Sequence, residues 1–231
     1  MRGPHRFIAG IFFLSVIIVG YFFWFQPHRE SDKPIHIPIA SQPTLGLGEG
    51  VSLIVFEEPL CPHCLELNLE VMPKIKSKFI DTHKISYTVI PVSFLLHSMQ
   101  IAEAWLAAYY NQVPPSNEDF FTYLRAYYVA QNKRTLQGAH SPWTVKQLAD
   151  LLQETLPSAD RSKFTQDLLA GDYASKIQKN TDDADHTLPS GLITPAIFVN
   201  GRRVSQWRHE KLEQAIEKAL MSESSQEENN A

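Results

Sequence analysis

The chain contains two cysteines, and both lie in the sequence CPHC at positions 61–64. Two thiols separated by two residues can close into a small disulfide ring and reopen by exchange with another thiol. The thiolate is the reactive form of cysteine, so such a site depends on a lowered thiol pKa. The spacing therefore predicts a redox-active pair, with Cys61 as the reactive thiol and Cys64 as its shielded partner.

The flanking residues place Cys61 at the start of a helix. Residues 51–56, VSLIVF, are apolar and β-rich, which predicts a buried strand. Pro62 suits the first turn of a helix, predicted over residues 62–78 with a kink at Pro73. Free N–H groups at that terminus favour the Cys61 thiolate, and a protonated His63 favours it further. We expect Cys61 to be partly exposed with a lowered pKa, and Cys64 to be buried.

Two other roles for the cysteine pair have less support in the sequence. A zinc site usually needs four ligands, and the chain has no second Cys-x-x-Cys and no histidine pair at ligand spacing. A structural disulfide rarely uses this spacing, because so short a loop constrains the unfolded chain little. We therefore expect neither a metal nor a cofactor at this site.

The middle of the chain is predicted to be helical. A second strand over residues 84–92 would complete a parallel βαβ unit. Helical spacing of apolar residues covers 99–111, and Ser116 resembles the start of a capping box before the next helix. Further helix caps are predicted at Ser141, Ser158 and Asp172, for helices ending near residues 153, 170 and 185. The aromatic residues of this region are expected to form its core.

The C-terminal part returns to β structure. Asn200-Gly201 between two short apolar runs is a strong hairpin signal within residues 194–207. An amphipathic helix is predicted over residues 208–220, followed by a disordered polar tail at 222–231. The order βαβ, helices, then ββα makes the helical block an insertion into an α/β domain.

The N-terminus indicates export. Residues 7–25 are uncharged and long enough to cross the roughly 30 Å hydrocarbon core of a bilayer, and Arg2 and Arg6 precede them. We expect a cytoplasmic end at 1–6 and a transmembrane anchor at 7–25, with a cleaved signal peptide as the alternative. Proline and glycine residues predict a semi-extended linker at 26–43. A net charge of −4 without a basic stretch argues against nucleic-acid binding.

Two segments, FEEPLCPHC and GLITPAIFVNGRRV, resemble the DsbA-like thiol:disulfide oxidoreductases, most closely their membrane-anchored branch. The resemblance covers residues 44–220. It implies a thioredoxin-like α/β fold with an inserted α-helical domain, here preceded by one transmembrane helix. The implied boundaries are 44–97 and 189–221 for the two parts of the thioredoxin-like domain, and 98–188 for the insertion.

The resemblance also assigns residues. Cys61 and Cys64 match the catalytic pair, and Pro195 matches the cis-proline that faces it and helps to hold substrate. Thr194 occupies the position that tunes redox behaviour, where DsbA itself has valine. DsbA carries a buried glutamate six residues before its first cysteine, where this chain has Val55. Glu58 matches an acidic position of the anchored branch and is expected, with Pro62 and His63, to tune the thiolate.

The implied function is donation of the Cys61–Cys64 disulfide to reduced exported polypeptides through a mixed disulfide. The implied location is the inner membrane, with the catalytic domain in the periplasm or another extracytoplasmic space. The implied redox partner is a quinone-linked membrane oxidase of the DsbB type. A tethered thiol reductase or isomerase is the alternative enzyme, and a folding or binding module with an inert pair is the non-enzymatic one. We expect no isomerase-type dimerisation domain before the catalytic domain, which makes isomerase the weaker alternative.

Overall fold

A five-stranded sheet in the order β1-β3-β2-β4-β5 forms the centre of the computed structural model, which describes residues 33–46, 50–139, 141–188 and 191–230. β2 and β3 are parallel, as predicted, whereas β1 pairs antiparallel with β3, and β4 with β2 and β5. The strands are β1 Thr44–Leu45, β2 Ser52–Glu57, β3 Ser86–Pro91, β4 Ala196–Val199 and β5 Arg202–Val204.

The connection from β2 to β3 is helical but irregular. It comprises α1 Pro62–Glu66, a π-helical turn Leu67–Val71, α2 Met72–Ile75 and a second π-helical turn Lys76–Ile80. Pro73 has no N–H for the preceding turn, and the first π-helical turn ends just before it. The predicted helix is therefore present, and the first of its two irregular turns lies where Pro73 interrupts the regular hydrogen bonding.

Five helices lie between β3 and β4 and confirm the helical insertion. Trp105, Tyr127 and Tyr128 are among its fully buried side chains, as expected for core aromatics. The helices are α3 Met99–Tyr109, α4 Asn117–Leu136, α5 Val145–Thr155, α6 Arg161–Ala170 and α7 Ala174–Thr187.

The caps of these helices agree with the sequence in one case and differ in three. Ser116 caps α4 as predicted, accepting the Asp119 N–H at 3.1 Å. The prediction at Ser141 is wrong, because Thr144 caps α5 in a reciprocal capping box with Gln147. The prediction at Ser158 is also wrong, since Asp160 accepts the Lys163 N–H at 2.9 Å and starts α6 there. The observed caps Thr144 and Asp160 lie three and two residues after the predicted ones, and each accepts a backbone N–H with a side-chain oxygen.

The prediction that Asp172 caps α7 is wrong for a tertiary reason. The N-cap position is Tyr173, which makes no side-chain cap hydrogen bond. The backbone N–H groups of Tyr173 and Ala174 lower the pKa of Glu103 of α3, so that carboxyl group lies close to the start of α7, while the Ala174 N–H donates to the Gly171 carbonyl at 3.2 Å. A side chain 70 positions earlier thus lies at the start of α7, and local sequence does not reveal it.

The sheet separates two cores. Leu53 and Val55 face one core beneath α1 and the insertion, while Ile54 and Phe56 face the other. Side chains alternate between the faces of a strand, so Glu57 at the end of β2 points toward the same side as Val55. This geometry decides the surroundings of the cysteines.

The C-terminal elements extend beyond their predicted bounds. Asn200 and Gly201 form the predicted hairpin turn with positive φ values of 47° and 72°. The last helix, α8, spans His209–Asn230, so the predicted disordered tail is wrong for residues 222–230. This segment contains neither glycine nor proline, and Glu223 accepts a hydrogen bond from Asn200 at 2.9 Å. That contact fixes the helix against the hairpin.

The described part of the predicted linker packs on the sheet instead of forming a free tether. The Ile35 N–H donates to the Gly201 carbonyl at 2.9 Å, and the Val89 N–H donates to the Pro43 carbonyl at 3.1 Å. Ile37 is buried in the second core. Among the described helices none has the length and apolarity to cross a bilayer, and the predicted anchor at 7–25 lies outside the described residues.

Candidate active site

Cys61 occupies the junction between the segment after β2 and the first turn of α1. It is the N-cap residue with extended backbone angles (φ −70°, ψ 120°), and Pro62 follows in the first turn. The Cys61 carbonyl accepts the first helical hydrogen bond, from the Leu65 N–H at 3.1 Å. The Pro62 ring lies in a position where no backbone donor is needed. Local sequence alone therefore sets the reactive sulfur at the helix start.

The pKa of Cys61 is lowered to about 5. The largest cause is a hydrogen bond from the Cys64 thiol, which outweighs the opposing effect of burial. A hydrogen bond from the Thr194 side chain and the backbone N–H groups of Cys64 and His63 lower it further. The direction of this shift agrees with the predicted thiolate, but its main donor is the partner thiol and the helix-terminal N–H groups are secondary.

Cys64 differs from Cys61 in burial and in protonation. Both cysteines are reduced, with Cys64 completely buried and Cys61 7% exposed, which is less exposure than predicted. Burial is the main cause that raises the pKa of Cys64 well above its usual value, and its hydrogen bond to Cys61 and the charge of Glu57 add to the effect. At neutral pH the pair therefore consists of one accessible thiolate and one enclosed thiol.

The Thr194-Pro195 segment lies against Cys61, although 133 positions separate Cys61 from Thr194. The Thr194-Pro195 peptide bond is cis, as the resemblance implied. The Cys61 sulfur is 3.2 Å from the Thr194 carbonyl oxygen, to which a protonated thiol can donate. The preceding Ile193 is 59% exposed, so an apolar surface borders the sulfur on this side.

Glu57 is completely buried beneath the cysteine pair and was not predicted as a site residue. Asn68 and Tyr128 donate to its Oε2 at 2.7 and 3.0 Å, and Tyr87 donates to its Oε1 at 3.1 Å. Desolvation is the largest effect on its pKa, and it raises that pKa to about 7 despite the three donors. A carboxyl group that titrates near neutrality thus sits close enough to Cys64 to shift its pKa.

Glu58, the acidic residue that the sequence analysis did assign to the site, is also buried. Its Oε2 accepts the Leu60 N–H at 2.7 Å, which closes the turn before Cys61. Desolvation raises the pKa of Glu58 to about 7, and the nearby Cys61 charge acts in the same direction. Glu58 therefore belongs to the electrostatic surroundings of the reactive sulfur.

His63 contributes to the thiolate through its backbone. Its N–H is among the groups that lower the pKa of Cys61. Its exposed imidazole packs against Trp207, with ring centroids 5.3 Å apart. A contribution of imidazole charge to the thiolate stays a prediction.

The sequence contained a signal for Glu57 that the motif obscured. Val51, Leu53 and Val55 alternate toward one face, and position 57 continues that alternation. A charged residue at an inward position of a buried strand indicates a carboxyl group with polar partners inside the fold. Its donors Asn68, Tyr87 and Tyr128 come from three separate segments, so only the folded chain identifies them.

Comparison with known proteins gives consistent relatives. The thioredoxin family profile matches residues 49–218. The probable disulfide bond formation protein D of Bacillus anthracis is 26% identical over 226 residues, covering 95% of this chain and 99% of that protein. Disulfide bond formation protein D of Bacillus subtilis is 24% identical over 185 residues, covering 79% and 78% respectively.

Solved structures show the same fold. The crystal structure of oxidised BdbD from Bacillus subtilis matches with a TM-score of 0.71 and 22% identity, over 83% of this chain and all of that one. Chlamydia trachomatis DsbA matches with a TM-score of 0.68 and 25% identity, over 80% of this chain and 96% of that one. The chain therefore belongs to the thioredoxin family and is a DsbA-like member of it, with the cysteine pair of a thiol:disulfide oxidoreductase.

Proposed function

We propose that this protein oxidises reduced exported polypeptides by donating the Cys61–Cys64 disulfide to them. The observation that carries the proposal is the difference between the two thiols, one with a pKa lowered to about 5 and one with a pKa well above its usual value. A stabilised Cys61 thiolate favours the reduced pair, so the disulfide gives up its oxidising equivalents readily. The same thiolate is a good leaving group in exchange.

The mechanism begins when a substrate thiolate attacks the Cys61 sulfur of the disulfide. The Cys61–Cys64 bond breaks, a mixed disulfide forms between substrate and Cys61, and Cys64 leaves with the electron pair. Because its pKa is high, Cys64 takes up a proton, and Glu57 is the buried acid that supplies it. A second substrate thiolate then attacks the substrate sulfur, and Cys61 leaves as the thiolate. The substrate gains a disulfide and the enzyme becomes a dithiol.

The surface around Cys61 suits an extended, partly apolar polypeptide. Thr194 and Pro195 border the sulfur on one side, where the Thr194 backbone is the proposed substrate contact. Leu96 is 81% exposed and lines a surface pocket together with Leu60, which precedes Cys61. Apolar surface next to the reactive sulfur favours the binding of unfolded chains, whose apolar residues are accessible.

The cellular setting belongs to the proposal as well. An anchor at residues 7–25 would hold the catalytic domain outside the cytoplasm at the inner membrane. The enzyme dithiol would be reoxidised there by a membrane partner, proposed as a quinone-linked oxidase of the DsbB type. The chemistry uses the two sulfurs directly, and no cofactor or metal is part of the proposal.

The test combines a variant with the natural redox state. Cys64→Ala should accumulate mixed disulfides with exported proteins, detected as reductant-sensitive adducts, whereas Cys61→Ala should form none. Acid quenching followed by alkylation then reports the pair in cells, and a mostly oxidised pair supports disulfide donation. A mostly reduced pair would instead assign a reductase, and a pair unchanged by mild oxidant and reductant would remove the redox function.

A further inference from the structure

A cavity of about 430 Å³ lies near Glu57, on the side away from the cysteine pair. It is bounded by the sheet edge, the irregular helix after the cysteines and α4. Exposed Thr122 and Arg125 line it, so the cavity reaches solvent. The remaining lining is largely apolar and includes Leu45, Met72, Pro73, Ile80, Phe121 and Leu124.

Two residues of the cavity wall are hydrogen-bond donors to Glu57. Tyr87 donates to Oε1 at 3.1 Å, and Asn68 donates to Oε2 at 2.7 Å. The two side chains are 4% and 6% exposed, so they separate the carboxyl group from the cavity by a single layer. Glu57 itself is completely buried and is not part of the wall.

Only one of these two donors can pass a proton. A hydroxyl group can accept a proton on its oxygen while it releases its own, whereas the Asn68 NH₂ group that contacts Glu57 is a donor only. Tyr128 has a hydroxyl and donates to Glu57 at 3.0 Å, but it does not line the cavity. Among the described residues, Tyr87 alone combines a hydroxyl group, contact with Glu57 and a place in the cavity wall.

We propose that the Tyr87 hydroxyl relays protons between Glu57 and water in this cavity. The inference rests on the proposed function, because Glu57 exchanges a proton with Cys64 in each reaction. When Cys64 must act as a nucleophile, its proton passes to the Glu57 carboxylate. The Glu57 proton then passes to the Tyr87 oxygen as the Tyr87 proton moves to water, so that one proton leaves and the hydroxyl stays neutral.

The groups around the relay are consistent with this route. Burial raises the pKa of Tyr87 well above its usual value, so a free tyrosinate is not formed. The titratable groups that act on Glu57 are Cys61 and Cys64 from α1, Tyr87 from β3 and Tyr128 from α4, with Glu58 next in the chain. In the cavity wall, Arg125 donates to the Asn68 carbonyl, and Lys76 pairs with Asp81 at 2.5 Å. Arg125 and Lys76 thus contact other groups, whereas the Tyr87 hydroxyl contacts the Glu57 carboxyl group directly.

The experiment uses the reduced protein and the chromogenic disulfide dithiobis(nitrobenzoate) in rapid mixing. Attack by Cys61 releases the first thionitrobenzoate and leaves a mixed disulfide. Attack by Cys64 on the Cys61 sulfur releases the second thionitrobenzoate, and only this step requires loss of the buried proton. The ratio of the second rate to the first is measured for each variant in light and heavy water.

Tyr87→Phe and Tyr128→Phe form a matched pair, since each removes one hydroxyl donor to the same carboxyl group. A relay predicts that Tyr87→Phe lowers the ratio by about tenfold, which is less than the ~10²–10⁴-fold effect of losing the acid or base itself because Glu57 stays in place, and that Tyr128→Phe lowers it clearly less. Thr122→Trp, which fills the cavity and leaves every donor to Glu57 in place, should also lower the ratio. A small base such as acetate, which can take up the released proton, should restore the Tyr87→Phe rate.

Equal ratios for the two tyrosine variants would overturn the relay and leave only stabilisation of the Glu57 carboxylate. An unchanged ratio in Thr122→Trp would exclude the cavity as the route. Tyr123→Phe is the control for loss of a buried hydroxyl, because Tyr123 donates to the Leu148 carbonyl instead. Failure of the proposed function is a separate result, since two equal and slow releases in the unmodified protein would show that Cys61 is not an activated thiolate.

Discussion

At the residue scale, the reactivity of Cys61 depends first on its partner. The Cys64 thiol is the largest single cause of the low Cys61 pKa, ahead of Thr194 and the backbone N–H groups. The two sulfurs therefore form one unit in the reduced state, in which the buried thiol is the donor and the accessible sulfur is the anion. This arrangement explains why their pKa values move in opposite directions.

Replacing the donor should therefore raise the Cys61 pKa from about 5. We expect Cys64→Ala to raise it by about one unit or more, because a hydrogen bond to the charged form is lost. Cys64→Ser keeps a hydroxyl donor and should show a smaller rise. Thiolate absorbance during a pH titration measures both variants, each with a single thiol. Titrations of both variants that still show a pKa of about 5 would assign the low pKa to the backbone donors.

The reduction potential should change slope with pH where Cys61 titrates. Below pH 5 reduction takes up two protons, and the potential should fall by about 59 mV per pH unit. Above pH 5 the Cys61 product stays a thiolate, so one proton is taken up and the slope should halve to about 30 mV. Equilibration with glutathione buffers across this range measures the break. A single slope from pH 4 to 8 would contradict the thiolate assignment.

At the element scale, α7 starts beside a carboxyl group supplied by another helix. The backbone N–H groups of Tyr173 and Ala174 lower the pKa of Glu103 of α3, although burial raises it overall. Glu103→Ala should lower the free energy of unfolding by about 0.5–2 kcal/mol, since the partly buried N-terminus of α7 loses the carboxyl group beside it. Glu103→Gln keeps an acceptor oxygen and should cost less. Urea unfolding measures both, with Asp160→Ala of α6 as a local-cap control expected to cost about 1 kcal/mol.

The limits of sequence reasoning follow the same distinction between local and distant contacts. The start of α1 at Cys61, the Asn200-Gly201 hairpin and the Ser116 cap depend on neighbouring residues, and the sequence predicted them. The start of α7 lies close to Glu103 of another helix, and no local pattern in the sequence indicates that proximity.

The candidate site divides in the same way. Its cysteine motif could be recognised from spacing, and the cis-proline loop from resemblance. The partners of Glu57 could not, because Asn68, Tyr87 and Tyr128 meet only after the sheet and the insertion have packed together.

At the scale of the whole molecule, the helical insertion and the redox segment form one structure. Tyr127 of α4 donates to the Pro59 carbonyl at 3.2 Å, and Tyr128 donates to Glu57 at 3.0 Å. Arg125 of the same helix donates to the Asn68 carbonyl. One helix of the insertion therefore positions the residues before Cys61 and the carboxyl group beneath Cys64. The insertion contributes to the chemistry as well as to the surface around it.

That arrangement makes the stability of the reduced protein depend on pH. The pKa of Glu57 is raised from 4.5 to about 7 by burial, so the folded state holds a proton that the unfolded state releases. Below pH 4.5 the Glu57 carboxyl group is protonated in both states, so its contribution to stability is most favourable there. As the pH rises from 4.5 to 7, the unfolded state loses this proton first, and the free energy of unfolding falls. The cost at pH 8 relative to pH 5 is roughly 2–3 kcal/mol for this group alone.

Glu57→Gln removes that titration and should therefore gain stability relative to the unmodified protein as the pH rises. The unfolding free energy of Glu57→Gln minus that of the unmodified protein should be roughly 2–3 kcal/mol larger at pH 8 than at pH 5. Urea unfolding of the reduced proteins at both pH values measures it. Tyr123→Phe is the control, because burial keeps the Tyr123 hydroxyl protonated throughout this range and its effect should be equal at both pH values. A Glu57→Gln effect that is likewise independent of pH would show that the carboxyl group ionises normally in the folded protein.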